Sequence, residues 1–146
     1  MFKKCSITAL FSLLLIFTGF TGGAFAETPD SVITPEIAMA LADVDKVNAE
    51  INAEIVKVQI KAEKMYADYL EEKAAATDAE KQTDAFNKYD VKIEAEIAKL
   101  QEKTQAMTAK GMEAATAAGL SVEVEWVTVK FADRERDIDP IKVMDW

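Results

Sequence analysis

Apolar positions along the middle of the chain alternate in steps of four and three. They fall at Ile37, Leu41, Val44, Asn48, Ile51, Ile55, Val58, Ala62, Met65 and Tyr69, and Asn48 is the lone polar member. Such a heptad seam marks a helix packed lengthwise on another helix. Its start is written in Thr34-Pro35-Glu36. Threonine can cap, proline suits the first helical turn, and a carboxylate complements the positive end of the dipole. A second seam runs through Phe86, Asp90, Ile93, Ile97, Leu100, Thr104, Met107, Gly111, Ala114 and Ala118. Gly119 then provides a left-handed stop and Leu120 the apolar residue after it.

The spacing lapses after Leu70, and Thr77-Asp78-Ala79-Glu80 reads as a capping box. These signals predict a turn from Ala75 to Asp78 between helices over about 35–75 and 78–118, against the competing reading of one continuous helix from Pro35 to Ala118. Folded antiparallel about Ala76, the seams set Leu41 opposite Gly111, Asn48 opposite Thr104, Ile51 opposite Leu100 and Ile55 opposite Ile97. Farther on, Val58 meets Ile93, Ala62 meets Asp90, Met65 meets Phe86 and Tyr69 meets Thr83. A lone seam Asn ordinarily fixes register. Asp90 at a seam position reads as a structural ion pair or a frayed position, with Lys61, Lys64 and Lys88 the candidate partners by helical spacing.

Beyond Gly119 the period changes to two. Val122, Val124 and Trp126 alternate with charged residues, and Val127, Val129 and Phe131 continue on the other face. That phase change at Trp126-Val127 suggests a bulge, or a strand covered on both faces. Ala132 to Asp137 reads as a charged loop, and Ile138 to Trp146 as a second extended run in which Pro140 requires an edge or a strand end. The expected fold class is therefore α+β, mainly α. A long, coiled-coil-like antiparallel helical hairpin over 27–120 is followed by a small C-terminal β-hairpin over 121–146.

The residues ahead of the helices carry a different message. Lys3 and Lys4 precede the apolar run Ile7 to Phe17, then Gly19, Gly22 and Gly23, then the small-x-small site Ala24-Phe25-Ala26. That order is a secretory signal peptide over 1–26 of bacterial type, with the mature chain beginning at Glu27. The apolar run is short of the ~20 residues of a membrane span. Cys5, the single cysteine, would leave with it, so stability must come from packing without a disulfide. The expected location is extracytoplasmic: secreted, periplasmic or envelope-associated.

Composition narrows the chemistry. With 26 acidic against 17 basic residues the chain carries a net charge of −9, which disfavours nucleic acid and anionic lipid. It contains no histidine, the usual general base and metal ligand. Without histidine or a mature cysteine, no Ser-His or Cys-His nucleophile can be assembled. Asp133, Arg134, Glu135, Arg136, Asp137 and Asp139 lack the acidic spacing and glycine of a calcium loop. Glu94 and Glu96 fall on different helix faces, and Glu71 and Glu72 face solvent, so no acid pair spans a cleft. No catalytic residue, cofactor or metal is expected.

Helix one carries a second apolar stripe, Ala49, Ala53, Val56, Ile60, Ala67 and Leu70, which a single partner helix cannot cover. A β-hairpin starting level with the first turns of helix one is expected to stop short of Ile60 and Leu70. Trp126, Phe131, Ile141, Val143 and Trp146 also require burial. The expected partner-binding residues are thus Val56, Ile60, Leu70, Trp126 and Trp146, in a homo-oligomer or against a protein partner. The leading expectation is a non-enzymatic structural or interaction protein. The alternative is an extracytoplasmic holdase-type chaperone gripping exported clients with alanine-rich and Met-containing faces. In outline the architecture resembles the periplasmic chaperones that carry helical arms on a β-base.

Overall fold

The structure, a computed structural model, describes residues 33–146, and the expected signal peptide lies outside them. Two long helices, α1 (Pro35–Ala75) and α2 (Ala79–Ala117), form an antiparallel hairpin. Four strands follow: β1 (Ser121–Val124), β2 (Val127–Phe131), β3 (Arg134–Ile138) and β4 (Ile141–Asp145). The α+β class and the order of elements are those the pattern predicts.

Local signals account for the helix ends. The Thr34 hydroxyl accepts from the Ile37 amide at 3.3 Å with Pro35 in the first turn. At the other end Gly119 takes φ 94°, and the Gly119 and Leu120 amides donate to the carbonyls of Thr116 and Ala115. This is a Schellman stop with Leu120 buried beside Ala115. The cap of α2 differs from expectation. Asp78, not Thr77, occupies the cap, and its carboxylate accepts from the Lys81 amide at 2.9 Å. An ionised oxygen facing the positive helix end makes the stronger cap.

The register of the helices is also corrected. Tyr69 stacks against Tyr89 and meets Phe86 edge-on, and Tyr66 packs on Tyr89 at a tilt. Lys61 pairs with Glu96 and Glu54 with Lys103. A Cβ added at Gly111 would meet Val47 and Ile141, not Leu41. Relative to the expected pairing, α2 has slid along α1 by five to six residues, about one and a half turns. The link itself lies where the signals predict, with α1 ending at Ala75 and α2 starting at Ala79, so the difference is in how the helices pack and not in where the chain turns. The buried stripe of α2 is Ala85, Tyr89, Ile93, Ile97, Leu100, Thr104, Thr108, Gly111 and Ala115. Phe86 and Ala114, expected on the seam, are exposed.

A third layer explains that broader stripe. The strands build one antiparallel ribbon in two paired stretches. In the outer stretch Val122 stands opposite Val143, Glu123 opposite Lys142 and Val124 opposite Ile141. In the inner stretch Val127 stands opposite Ile138 and Phe131 opposite Arg134. Between them Glu125-Trp126 lies across from Asp139-Pro140, joined by the Glu125 amide to the Pro140 carbonyl at 2.9 Å. Pro140 has no amide hydrogen to offer a ladder, so regular pairing breaks where the phase change predicts.

Two expectations about the ribbon need correcting. The charged segment is not a loop: Ala132-Asp133 alone makes the turn and Arg134–Ile138 is a strand. Ala132 has φ 54°, the positive first position of a two-residue hairpin turn. The ribbon also reaches much farther than the first turns of α1. An extended strand advances ~3.3 Å per residue, about twice a helix's 1.5 Å, so the stretch from Ser121 to Phe131 keeps pace with about 24 helical residues. The Lys130 carbonyl accordingly accepts from Gln59 at 3.0 Å. Phe131 and Ile138, both fully buried, join Ile51, Ile55, Val58, Tyr89, Ile93 and Ile97 in the main core. A second cluster at the open end gathers Ala40, Val44, Ala115, Leu120 and Ile141.

Candidate functional site

The ribbon is fastened to the helices at both ends of its length. In the outer half, the Asn48 amide nitrogen donates to the Ile141 carbonyl at 2.8 Å and its oxygen accepts from the Ile141 amide at 2.9 Å. The Thr108 hydroxyl donates to the Asp139 carbonyl at 2.5 Å. Asn48 therefore sets the register of a strand, not of α2, and Thr104, its expected partner, donates within its own helix to Gln101.

At the ribbon tip the partner of Asp90 is Arg134, not one of the three lysines. The Arg134 guanidinium contacts Asp90 at 3.0 Å, Glu94 at 2.6 Å and Asp133 at 3.2 Å, and lies over the Tyr89 ring. Arg136 reaches the same Glu94 oxygen at 2.6 Å. Lys88 and Lys61 are engaged elsewhere, with Glu72 and Glu96. Burial works against the Arg134 charge, yet hydrogen bonds to Glu94, Asp133 and Asp90 outweigh it and raise its pKa. The Tyr89 hydroxyl donates to Asp133. Burial and that anionic neighbour push the Tyr89 phenol up. For Asp133 burial pulls upward, but the bonds from Tyr89 and Arg134 prevail and hold its carboxyl below the ordinary range. At the helix interface, hydrogen bonds from Lys57 and then Lys103 lower Glu54 to about 2.

At this tip each acid is bound to a named cation or phenol, which fastens the ribbon to α2 as a clasp. Among the described residues no group of three or more Asp, Glu, His or Cys side chains converges as metal ligands would. Among them, too, no helix is long and apolar enough to cross a membrane.

The expected partner-binding residues divide. Val56 is 48% exposed, Ile60 64% and Leu70 45%. They lie on the side of α1 away from Ile51, Ile55, Val58 and Ala62, so neither α2 nor the ribbon covers them. The ribbon reaches their level on a different face. Trp126, expected to be buried, is 64% exposed at the ribbon break. It borders an open groove of about 480 Å³ with Gln101, Thr128, Glu135, Arg136 and Asp137. Trp146 is half-buried against the second core cluster. The stripe on α1 and the Trp126 groove are thus separate surfaces. The heptad reading passed over Met39, which is 70% exposed on α1. Comparison of the chain with protein-family models, with curated proteins and with solved structures found no match.

Proposed function

We propose that this chain is a non-enzymatic interaction protein of the secreted or cell-envelope compartment, working through the outer face of α1 as an oligomer or against a docked protein. The supporting observation is that Val56, Ile60 and Leu70 remain exposed in one stripe, on the side of α1 away from its buried residues Ile51, Ile55, Val58 and Ala62. Burying one such side chain contributes ~1.5–3 kcal/mol, so the stripe as a whole favours association. The interaction reading is preferred to the holdase reading because the ribbon runs along the helices and occupies a long face that client-gripping arms would need free. The test is Val56→Glu combined with Ile60→Lys. The double variant should keep its helical circular dichroism and lose mass in sedimentation. Equal, monomeric mass for both proteins would rule out the oligomer, and a double variant that associates as the wild type does would sink the reading of this face.

A further inference from the structure

Resting on that reading, we infer that the occupant of the α1 face is a second copy of this chain, docked antiparallel about a two-fold axis between residues 53 and 56. The outer stripe continues the heptad spacing through Met39, Ala42, Lys46, Ala49, Ala53, Val56, Ile60, Glu63, Ala67 and Leu70, and all of these are exposed. In an antiparallel pair of identical helices, each position meets its counterpart across the axis, and every contact occurs twice.

One alignment satisfies the whole stripe. Ala53 meets Val56 of the second copy, Ala49 meets Ile60, Ala42 meets Ala67 and Met39 meets Leu70. Large then faces small over the centre, and the bulky end residues face each other. The two charged stripe positions, Lys46 and Glu63, fall opposite one another. On the flank next to the stripe the same alignment sets Glu50 against Lys57 and Asp43 against Lys64, all four exposed. On the ribbon-side flank it sets Asn52 against Gln59, two groups able to hydrogen-bond. A parallel pairing would instead put Lys46 on Lys46 and Glu63 on Glu63, burying like charges at the seam. Sliding the antiparallel pair by one heptad sets Lys57 against itself in one direction and Glu50 against itself in the other, and either slide parts Lys46 from Glu63 on the stripe. The charge pattern thus selects both direction and register. It also puts the two ribbons on the same side of a four-helix layer.

The experiment is a charge swap on the protein purified after export, read by sedimentation equilibrium, with circular dichroism to verify the fold. Lys46→Glu alone and Glu63→Lys alone should each weaken the dimer about tenfold, since each creates two like-charge contacts. The double variant K46E with E63K should return to within about threefold of wild type. Under oxidation, Ala49→Cys together with Ile60→Cys should link the two copies, while Ala53→Cys alone should not. Dimers that ignore the swaps, or that link through Ala53→Cys alone, overturn this alignment and leave the α1 docking face standing. A wild type that stays monomeric at high micromolar concentration overturns the second copy as occupant.

Discussion

Asn48 and Ile141 exchange two hydrogen bonds, with the side-chain amide of one matching the backbone amide and carbonyl of the other at 2.8 and 2.9 Å. One residue of α1 thereby stands in for a neighbouring strand along β4. Removing it leaves both Ile141 groups without these partners at a partly buried site. Asn48→Ala should lower stability by ~1–3 kcal/mol in denaturant titration and speed amide exchange at Ile141, with the helical signal unchanged. Asn48→Asp should cost more, because a carboxylate cannot donate to the Ile141 carbonyl. Unaltered exchange at Ile141 in both variants would count against this role.

The clasp at the ribbon tip depends on Arg134, whose side chain is 13% exposed among three carboxylates. Arg134→Ala should destabilise by about 2–3 kcal/mol, since it leaves Asp90, Glu94 and Asp133 crowded without their cation. Asp133 has a lowered pKa in the fold, so its contribution is present above the ordinary Asp value near ~3.9 and is lost as pH falls below it. Glu54 acts in the same direction, losing its contribution from 4.5 down toward about 2. Thermal melts should therefore hold steady from neutral pH to about pH 5 and decline beneath that, and Asp133→Asn should flatten the decline. A melt that strengthens on acidification would contradict the clasp.

Tyr89 provides the alkaline counterpart. Its phenol is raised above the ordinary tyrosine value of ~10, so the neutral form is favoured by folding, and its contribution is intact below that value. In an ultraviolet titration of tyrosine ionisation, one of the three tyrosines should resist deprotonation beyond the others, and Tyr89→Phe should remove that late component. Three tyrosines titrating together would contradict the buried Tyr89–Asp133 bond.

Processing has its own check. Export should leave an N-terminus at Glu27, visible as a mass lacking residues 1–26 and Cys5. Recovery of the intact N-terminus in the membrane fraction would reverse the assignment of an extracytoplasmic location.

Much of the fold was legible because its signals are local. Thr34, Pro35, Gly119 and Leu120 end their helices through contacts within a turn, and Pro140 interrupts the ribbon by lacking a donor. The helix register was not legible, because heptad seams fit nearly as well after a slide and the link, correctly placed between Ala75 and Ala79, does not choose between them. The path of the ribbon was hidden for a related reason. Arg134 is 44 residues from Asp90, and no periodicity connects them. The trace that existed was Asp90 itself, a charge at a seam position in need of a cation. It was matched to lysines near in helical spacing, while the partner came from the third layer. Val56, Ile60 and Leu70 could be read as uncovered because a stripe opposite a packed seam needs no knowledge of register.

The central claim is that the outer face of α1 is a docking surface, and the most direct measurement is the molecular mass of the purified exported protein across a concentration series. The account predicts a mass that rises with concentration to at least twice that of one chain. It also predicts that Val56→Glu with Ile60→Lys returns the mass to a single chain without loss of helix. A wild type that remains one chain at every concentration, with a mass the double variant does not change, would contradict it.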